Sequence, residues 1–180
     1  MRIPLYLCIP ALLLSSCAPS IPYATDYPLT QSFFRSRDNL FTGRVPVGWF
    51  SSTEDSLAPA LTAWLIREDF SATLTIKELR LDRLTEQRIH DDGLKLLATL
   101  NGALERHTKQ MREVWEYRMD GKLFCGYEFE SPEAPGRVVV FSAKEKFYAC
   151  TAQRVTGSWT REDFIMLFRA QQSVLGSLIF

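Results

Sequence analysis

Few side chains in this chain could serve as a base, a nucleophile or a soft metal ligand. They are two histidines, His90 and His107, and four cysteines, Cys8, Cys17, Cys125 and Cys150. His90 is followed by Asp91 and Asp92, a trio that could supply a general base or metal ligands. Adjacent residues on a helix point in different directions, so the three do not converge. They read as a polar helix edge or break, with Asp92 capping a second piece. His107 lies on an apolar stripe and reads as a histidine at the edge of the core. On one continuous helix the two histidines would stand roughly 25 Å apart, too far to share a metal. The chain has no G-x-S-x-G, C-x-x-C or H-E-x-x-H motif and no phosphate-cradling glycine loop. No catalytic residue, metal ligand, cofactor-binding residue or cofactor is therefore expected. A hydrolase is kept only as an alternative, one that would need His90 or His107 as its base.

The composition is that of an ordinary globular protein. The 180 residues are 46% hydrophobic and 23% charged, with 21 Lys+Arg against 21 Asp+Glu. A neutral chain without a basic cluster lacks the face that displaces counterions from phosphate, so nucleic-acid binding is not expected. The prolines are uneven: Pro4, Pro10, Pro19, Pro22 and Pro28 all fall in the first 28 residues. Met1-Arg2 is a short positive start, and Ile3–Leu14 is a mostly apolar run. A membrane-spanning helix needs roughly 20 such residues, whereas a run of this length suits an export signal.

That run ends in Leu14-Ser15-Ser16-Cys17, which resembles the lipobox of bacterial lipoproteins: a branched aliphatic residue, two small residues and a cysteine. The resemblance implies a diacylglyceryl group on the Cys17 sulfur, cleavage after Ser16 and further acylation of the new amine, commonly with palmitate. Two or more acyl chains hold firmly at about 0.8 kcal/mol per buried methylene, where one holds only marginally. Ala18 follows the cysteine. In the enteric pattern an aspartate there retains the protein at the inner membrane, so Ala18 implies the periplasmic face of the outer membrane, with the inner membrane as the alternative. Residues 1–16 are thus expected to be a signal peptide and 17–32 a lipidated cysteine with a proline-containing tether. Tyr23 and Tyr27 either sit at the membrane interface or dock on the domain, and both readings stay open.

Residues 33–180 read as one α+β domain. Phe33–Asn39 reads as a short lead-in, and Phe41–Val45 with Trp49 as a hairpin around Pro46-Val47-Gly48. Leu61–Arg67 and Ser71–Leu81 alternate as strands. A helix is expected over Glu86–Gln110, with Thr85 as N-cap, a possible break at Gly93, and a stripe through Ile89, Leu96, Leu97, Leu100, Leu104, His107 and Met111. Asp120-Gly121 between two strand-like runs is a two-residue hairpin signal. It pairs Met119 with Lys122, Tyr117 with Phe124 and Trp115 with Gly126. Two further strands, Gly136–Ser142 and Phe147–Arg154, complete a meander in which both faces are apolar. One face carries Trp115, Tyr117, Phe124, Val138, Val140 and Phe147; the other carries Leu123, Cys125, Tyr127, Phe129, Val139, Phe141, Tyr148 and Cys150. A sheet apolar on both faces must be covered on both. A second helix, capped by Thr160 and Asp163, supplies Phe164, Leu167, Phe168, Gln171, Val174, Leu175 and Leu178. The expected architecture is an antiparallel sheet between helices, an α/β/α sandwich. In that register Cys125 opposes Phe141 and Cys150 opposes Val139, on one face and roughly 10–12 Å apart. That exceeds the ~7 Å limit for a disulfide, so two buried free thiols are expected.

Several stretches carry a further resemblance: VPVGWF at Val45–Phe50, the strands ending in SATLTIKEL, the long middle helix, and GRVVVFSAKEKFYACTA before the last helix. This layout resembles the Mog1/PsbP-like fold. The resemblance implies an antiparallel sheet between helices and a largely non-catalytic role, as in photosystem assembly factors and a small-GTPase-binding protein. It carries no functional residue over by position. Of the four tryptophans, Trp64 and Trp115 read as core. Trp49, beside a Pro-Val-Gly turn, and Trp159, at a helix start, are the candidates for a surface groove and a possible interaction surface. The expected function is a non-enzymatic, membrane-anchored accessory, assembly or protein-interaction module of the cell envelope, with an envelope protein as partner. The alternative is a carrier or sensor of a small apolar ligand, which needs a dry cavity between sheet and helix.

Overall fold

The computed structural model describes residues 22–52, 58–81, 83–104, 109–110, 113–131 and 135–180. The elements in chain order are β1 (Leu29–Arg35), β2 (Thr42–Pro46), β3 (Trp49–Ser51), β4 (Ala63–Arg67), β5 (Ala72–Glu78) and α1 (Arg83–Leu104). They continue as β6 (Lys109–Gln110), β7 (Trp115–Met119), β8 (Lys122–Glu130), β9 (Pro135–Ala143), β10 (Lys146–Arg154) and α2 (Arg161–Gly176). An eight-stranded sheet runs β3-β4-β5-β10-β9-β8-β6, with β7 also on β8, and every pairing is antiparallel. β1 and β2 form a separate two-stranded sheet. It is tied to the C-terminus by a bridge between Thr42 and Ile179.

The β7–β8 hairpin has the expected register, with Met119 on Lys122, Tyr117 on Phe124 and Trp115 on Gly126. Asp120 and Gly121 have φ of 48° and 77°. These are the left-handed values that a type I′ turn asks of both central residues. The Trp115 ring lies where a Cβ on residue 126 would be, 3.1 Å away. α2 is capped as expected: the Thr160 side chain accepts from Asp163 N, and the Asp163 carboxylate accepts from Thr160 N.

Alternate residues of β10 enter two hydrophobic clusters. Tyr148, Cys150 and Ala152 join Leu167, Phe168, Val174 and Leu175 of α2. Phe147 and Ala149 join Ile89, Leu94, Leu97 and Ala98 of α1. Burying a large apolar side chain contributes about 1.5–3 kcal/mol, so each cluster ties its helix to the sheet.

Four expectations change. First, the β8–β9 register differs by one residue: Phe124 opposes Phe141 and Cys125 opposes Val140. The connecting loop has four residues, 131–134, because β9 begins at Pro135. A one-residue slip exchanges the faces of a strand. Cys125 therefore lies in the α1 cluster, and Cys150, opposite Val139, lies in the α2 cluster. Both thiols are free and buried, on opposite clusters rather than on one face. Second, β2 pairs with β1 rather than folding back on β3. The stretch read as a lead-in is the end of a strand that starts at Leu29, within the expected tether. Third, the break expected at Gly93 is present, with φ 78° and ψ 177°, but the expected apolar stripe does not run through it. The piece beyond it is rotated, so Leu94, Leu97 and Ala98 are buried while Leu100 and Leu104 are exposed. Fourth, Lys109 and Gln110, expected at the helix end, pair with β8. His107, Met111, the side chain of His90 and the whole of 1–21 lie outside the described residues.

The tight packing of the α1 cluster gives a stability test. A Cβ added at Gly136 would come within 2.4 Å of the Phe129 ring, and Phe129 is itself buried. Gly136→Ala is expected to lower stability by about 1–3 kcal/mol, the range for overpacking, seen as a lower urea midpoint.

Candidate functional site

A cleft of about 750 Å³ opens where the two sheets meet. Its walls come from Phe33, Arg35 and Arg37 of the β1 side and from Trp49, Ser51 and Trp64 of the β3–β4 side. Trp49, one of the two tryptophans assigned to a possible surface, is 6% exposed. Its ring belongs to the α2 cluster while its residue also lines the cleft. Its Nε1–H donates to Tyr27 Oη at 3.4 Å. Trp64, read as core, is half-buried along the same wall, and its Nε1 is buried without a partner among the described residues. Arg37 is held by its guanidinium to the carbonyl oxygens of Pro59 and Ala58. The cleft lies between two sheets and is open, so it differs from the dry sheet–helix cavity that an apolar-ligand carrier would need.

Trp159, the other tryptophan, is half-buried. The Arg67 guanidinium lies over its ring at 5.7 Å. Arg67 is directly opposite Trp49 on β4, so one arginine links the regions of both. Near them Phe50 of β3 and Phe70 of the β4–β5 turn meet edge to face, 5.8 Å apart. Phe70 is 63% exposed and has φ 57°. A bulky residue in the left-handed region is a strained one. Asp69 closes this turn by accepting from Ser71 N and Ser71 Oγ, so the turn itself does not use the Phe70 ring. The residue pattern marked Trp49 and Trp159 but not this pair; an aromatic residue in a polar turn was the available signal.

A second set of residues was also missed. Arg137 of β9 has none of its surface exposed. It stands directly opposite Glu128 of β8. Its guanidinium donates to Phe168 O at 3.2 Å, to Tyr117 Oη at 3.3 Å and to Gln172 Oε1. The rings of Tyr23 and Trp115 lie 4.8 Å and 5.8 Å from it. Its Nε has no partner among the described residues. Burial holds the guanidinium pKa below its usual value, yet arginine remains charged in proteins. The N-terminal segment closes this place. Tyr23 Oη donates to Glu128 Oε1 at 2.5 Å, Tyr27 N donates to Ser173 Oγ at 3.0 Å, and Arg169 Nε donates to Asp26 Oδ1 at 2.8 Å. Both tyrosines therefore dock on the domain.

No group of three or more potential metal-ligating side chains occurs among the described residues. The two thiols are poor nucleophiles. Burial pushes Cys125 up to about 12, helped by the neighbouring Glu116 carboxylate, and burial pushes Cys150 up to about 12. The thiolate, not the thiol, is the reactive form.

With this geometry in view, the fold can be set beside known structures. The solution structure of cyanobacterial PsbP (CyanoP) from Synechocystis sp. PCC 6803 is similar over 92% of this chain and 98% of that one, at 14% identity and a TM-score of 0.53. The Saccharomyces cerevisiae Ran-binding protein Mog1p covers 84% of this chain and 95% of its own, at 10% identity and a TM-score of 0.46. The first likeness shows a PsbP-like fold. No protein-family model and no curated protein matches the sequence.

Two tests follow from the buried groups. Arg137→Ala leaves Glu128, Gln172 and Tyr117 without their cation, and removing one partner of a buried charged set costs about 3–5 kcal/mol. The urea midpoint should fall accordingly, and cleavage near Tyr23 by added protease should quicken. The thiols hold their protons in the folded state. The stability they contribute is intact below their ordinary pKa of 9.0 and is lost as pH rises towards about 12. Native protein at pH 8 should therefore resist a thiol reagent that modifies both cysteines once urea is added. The fall in stability above pH 9 should be shallower in Cys125→Ala/Cys150→Ala.

Proposed function

We propose that this chain is a bacterial envelope lipoprotein, anchored through lipid on Cys17 to the periplasmic face of the outer membrane. It acts there as a non-enzymatic accessory, assembly or protein-interaction module. The anchor reading rests on Leu14-Ser15-Ser16-Cys17 after a short apolar run. A layered fold, with α1 on one face of the sheet and α2 on the other, is supported by the division of β10 between two clusters.

The contact reading is carried by one observation: Phe70 is exposed, held at positive φ and stacked edge to face on Phe50. An exposed aromatic pair next to an arginine and a tryptophan has the composition favoured at protein interfaces. The strained backbone supports the same reading, because strain persists where function retains it.

Membrane fractionation with labelling by an alkyne analogue of palmitate tests the anchor. Wild-type chain should be labelled and sediment with membranes, whereas Cys17→Ala should be unlabelled and soluble. Equal fractionation of the two forms would refute the anchor. For the contact surface, Phe50→Ser/Phe70→Ser should leave the thermal midpoint within a few degrees of wild type. It should also abolish co-purification of an envelope partner from detergent-solubilised membranes.

A further inference from the structure

The chain upstream of β1 is docked beside α2. The Tyr23 ring meets Phe168 edge to face at 5.4 Å, and both Tyr23 and Tyr27 pack against the α2 cluster. Arg169 Nε donates to Asp26 Oδ1 at 2.8 Å, and Tyr27 N donates to Ser173 Oγ at 3.0 Å. This docking shortens the free chain between Cys17 and the domain. Fully extended, the stretch from residue 17 to residue 23 spans no more than about 22 Å, against about 40 Å if the chain were free as far as Leu29. A lipid on Cys17 therefore lies within that shorter reach of Tyr23, and Tyr23 is on the α2 side of the sheet.

The part of α2 next to this segment presents an apolar spot to solvent. Arg161, Glu162, Ile165 and Met166 are exposed, while Leu167, Phe168, Gln171, Val174 and Leu175 are buried. Residues three and four positions apart share one side of a helix, so Glu162, Ile165 and Met166 form one outward stripe. Arg169 Nη1 lies 3.4 Å from Met166 Sδ, which makes the stripe continuous with Arg169 and Asp26. At the helix start the half-buried rings of Trp159 and Phe164 meet at 5.3 Å. Tryptophan is enriched where apolar surface meets lipid headgroups. Arginines stand at both ends of the stripe, and their stems can cover apolar surface while the charges stay in water. Glu162 and Asp26 oppose these two charges, so attraction to anionic lipid is not what this surface offers.

We propose that α2 rests on the bilayer surface, with Ile165 and Met166 entering the headgroup region and Arg161 and Arg169 at its watery edge. The occupant of this face is lipid. A helix with an apolar stripe and charged flanks lies in the plane of such an interface. Two exposed apolar side chains hold a bilayer weakly by themselves. A short tether raises the effective concentration of the second contact to about the millimolar range, so a weak contact suffices once the lipid is inserted. The proposal rests on the reading of Cys17 as a lipid anchor and gives the anchored domain an orientation. It uses neither Phe50 nor Phe70, which belong to β3 and to the β4–β5 turn.

The test uses the full-length lipidated chain in phosphatidylcholine vesicles that include a lipid with a nitroxide near the headgroup end of its acyl chain. An environment-sensitive dye is attached through Glu162→Cys on α2 or through Glu145→Cys in the exposed β9–β10 turn. Cys125 and Cys150 are buried and stay unlabelled. The dye at position 162 should be quenched about threefold more than the dye at 145, because the apolar face of an interfacial helix sits about 5–10 Å into the headgroup boundary. Ile165→Ser/Met166→Ser, at two exposed positions, should remove that difference while the thermal midpoint and co-sedimentation with vesicles stay as in wild type. Co-sedimentation with equal quenching at 162 and 145 overturns the proposal and leaves the anchor standing; it is the result expected if a protein covers this face. Quenching at 162 that survives the double serine change overturns it too. Absence of co-sedimentation refutes the anchor, and the orientation falls with it.

Discussion

Arg137 carries a full charge at a place with no exposed surface. Taking such a charge out of water costs several kcal/mol, recovered only where hydrogen bonds and an opposite charge surround it. The surroundings come from four parts of the chain: Glu128 across the ladder on β8, Trp115 and Tyr117 on β7, Phe168 O and Gln172 on α2, and Tyr23 from the N-terminal segment. Each must be in place for the others to be tolerated. The residue therefore sets the registration of α2 and of the N-terminal segment on the sheet, which undirected apolar packing would leave freer. Gln171 strengthens the same seam by donating to the main-chain carbonyls of Arg137 and Cys150.

The constraint also accounts for the strand register. With a slip of one residue, Arg137 would oppose Phe129 instead of Glu128, and every side chain of β9 would change face. The guanidinium would then enter the cluster that holds Tyr127 and Phe129 of β8. The four-residue loop between β8 and β9 is the length that keeps Arg137 beside Glu128. Placing Cys125 and Cys150 on opposite clusters is a by-product of that register, and it keeps two thiols apart without any positional requirement of their own.

At the far end of the sheet the packing is less complete. The small β1–β2 sheet is held by Tyr27, by the Ser177 hydroxyl that accepts from Arg44 N and by the bridge to Ile179. It meets the large sheet at Arg37 and Thr62 and leaves the cleft beside Trp49. The stable centre and the open edge thus have different jobs. Arg137 and the two clusters make up the buried body, while Phe50 on β3 and Phe70 in the β4–β5 turn stay exposed.

Local chemistry was legible in the residues themselves. Asp120-Gly121 sets the β7–β8 register because both turn positions tolerate positive φ. Thr160 and Asp163 mark a helix start because they satisfy two orphan N–H groups. Unbroken apolar runs in β8–β10 agree with the burial of residues on both faces of these strands. These depend on residues a few positions apart, whose interaction is set by the chain itself. The burial of Trp49, the docking of Tyr23 and Tyr27, the pairing of β1 with β2 and the facing of Cys125 were decided by tertiary structure. Each depends on a partner far along the chain: Glu128 for Tyr23, 105 residues away, and Ser173 for Tyr27, 146 residues away. Alternation along a strand defines two faces without saying which helix lies on which. Arg137 is buried where α2, β7 and the N-terminal segment arrive together.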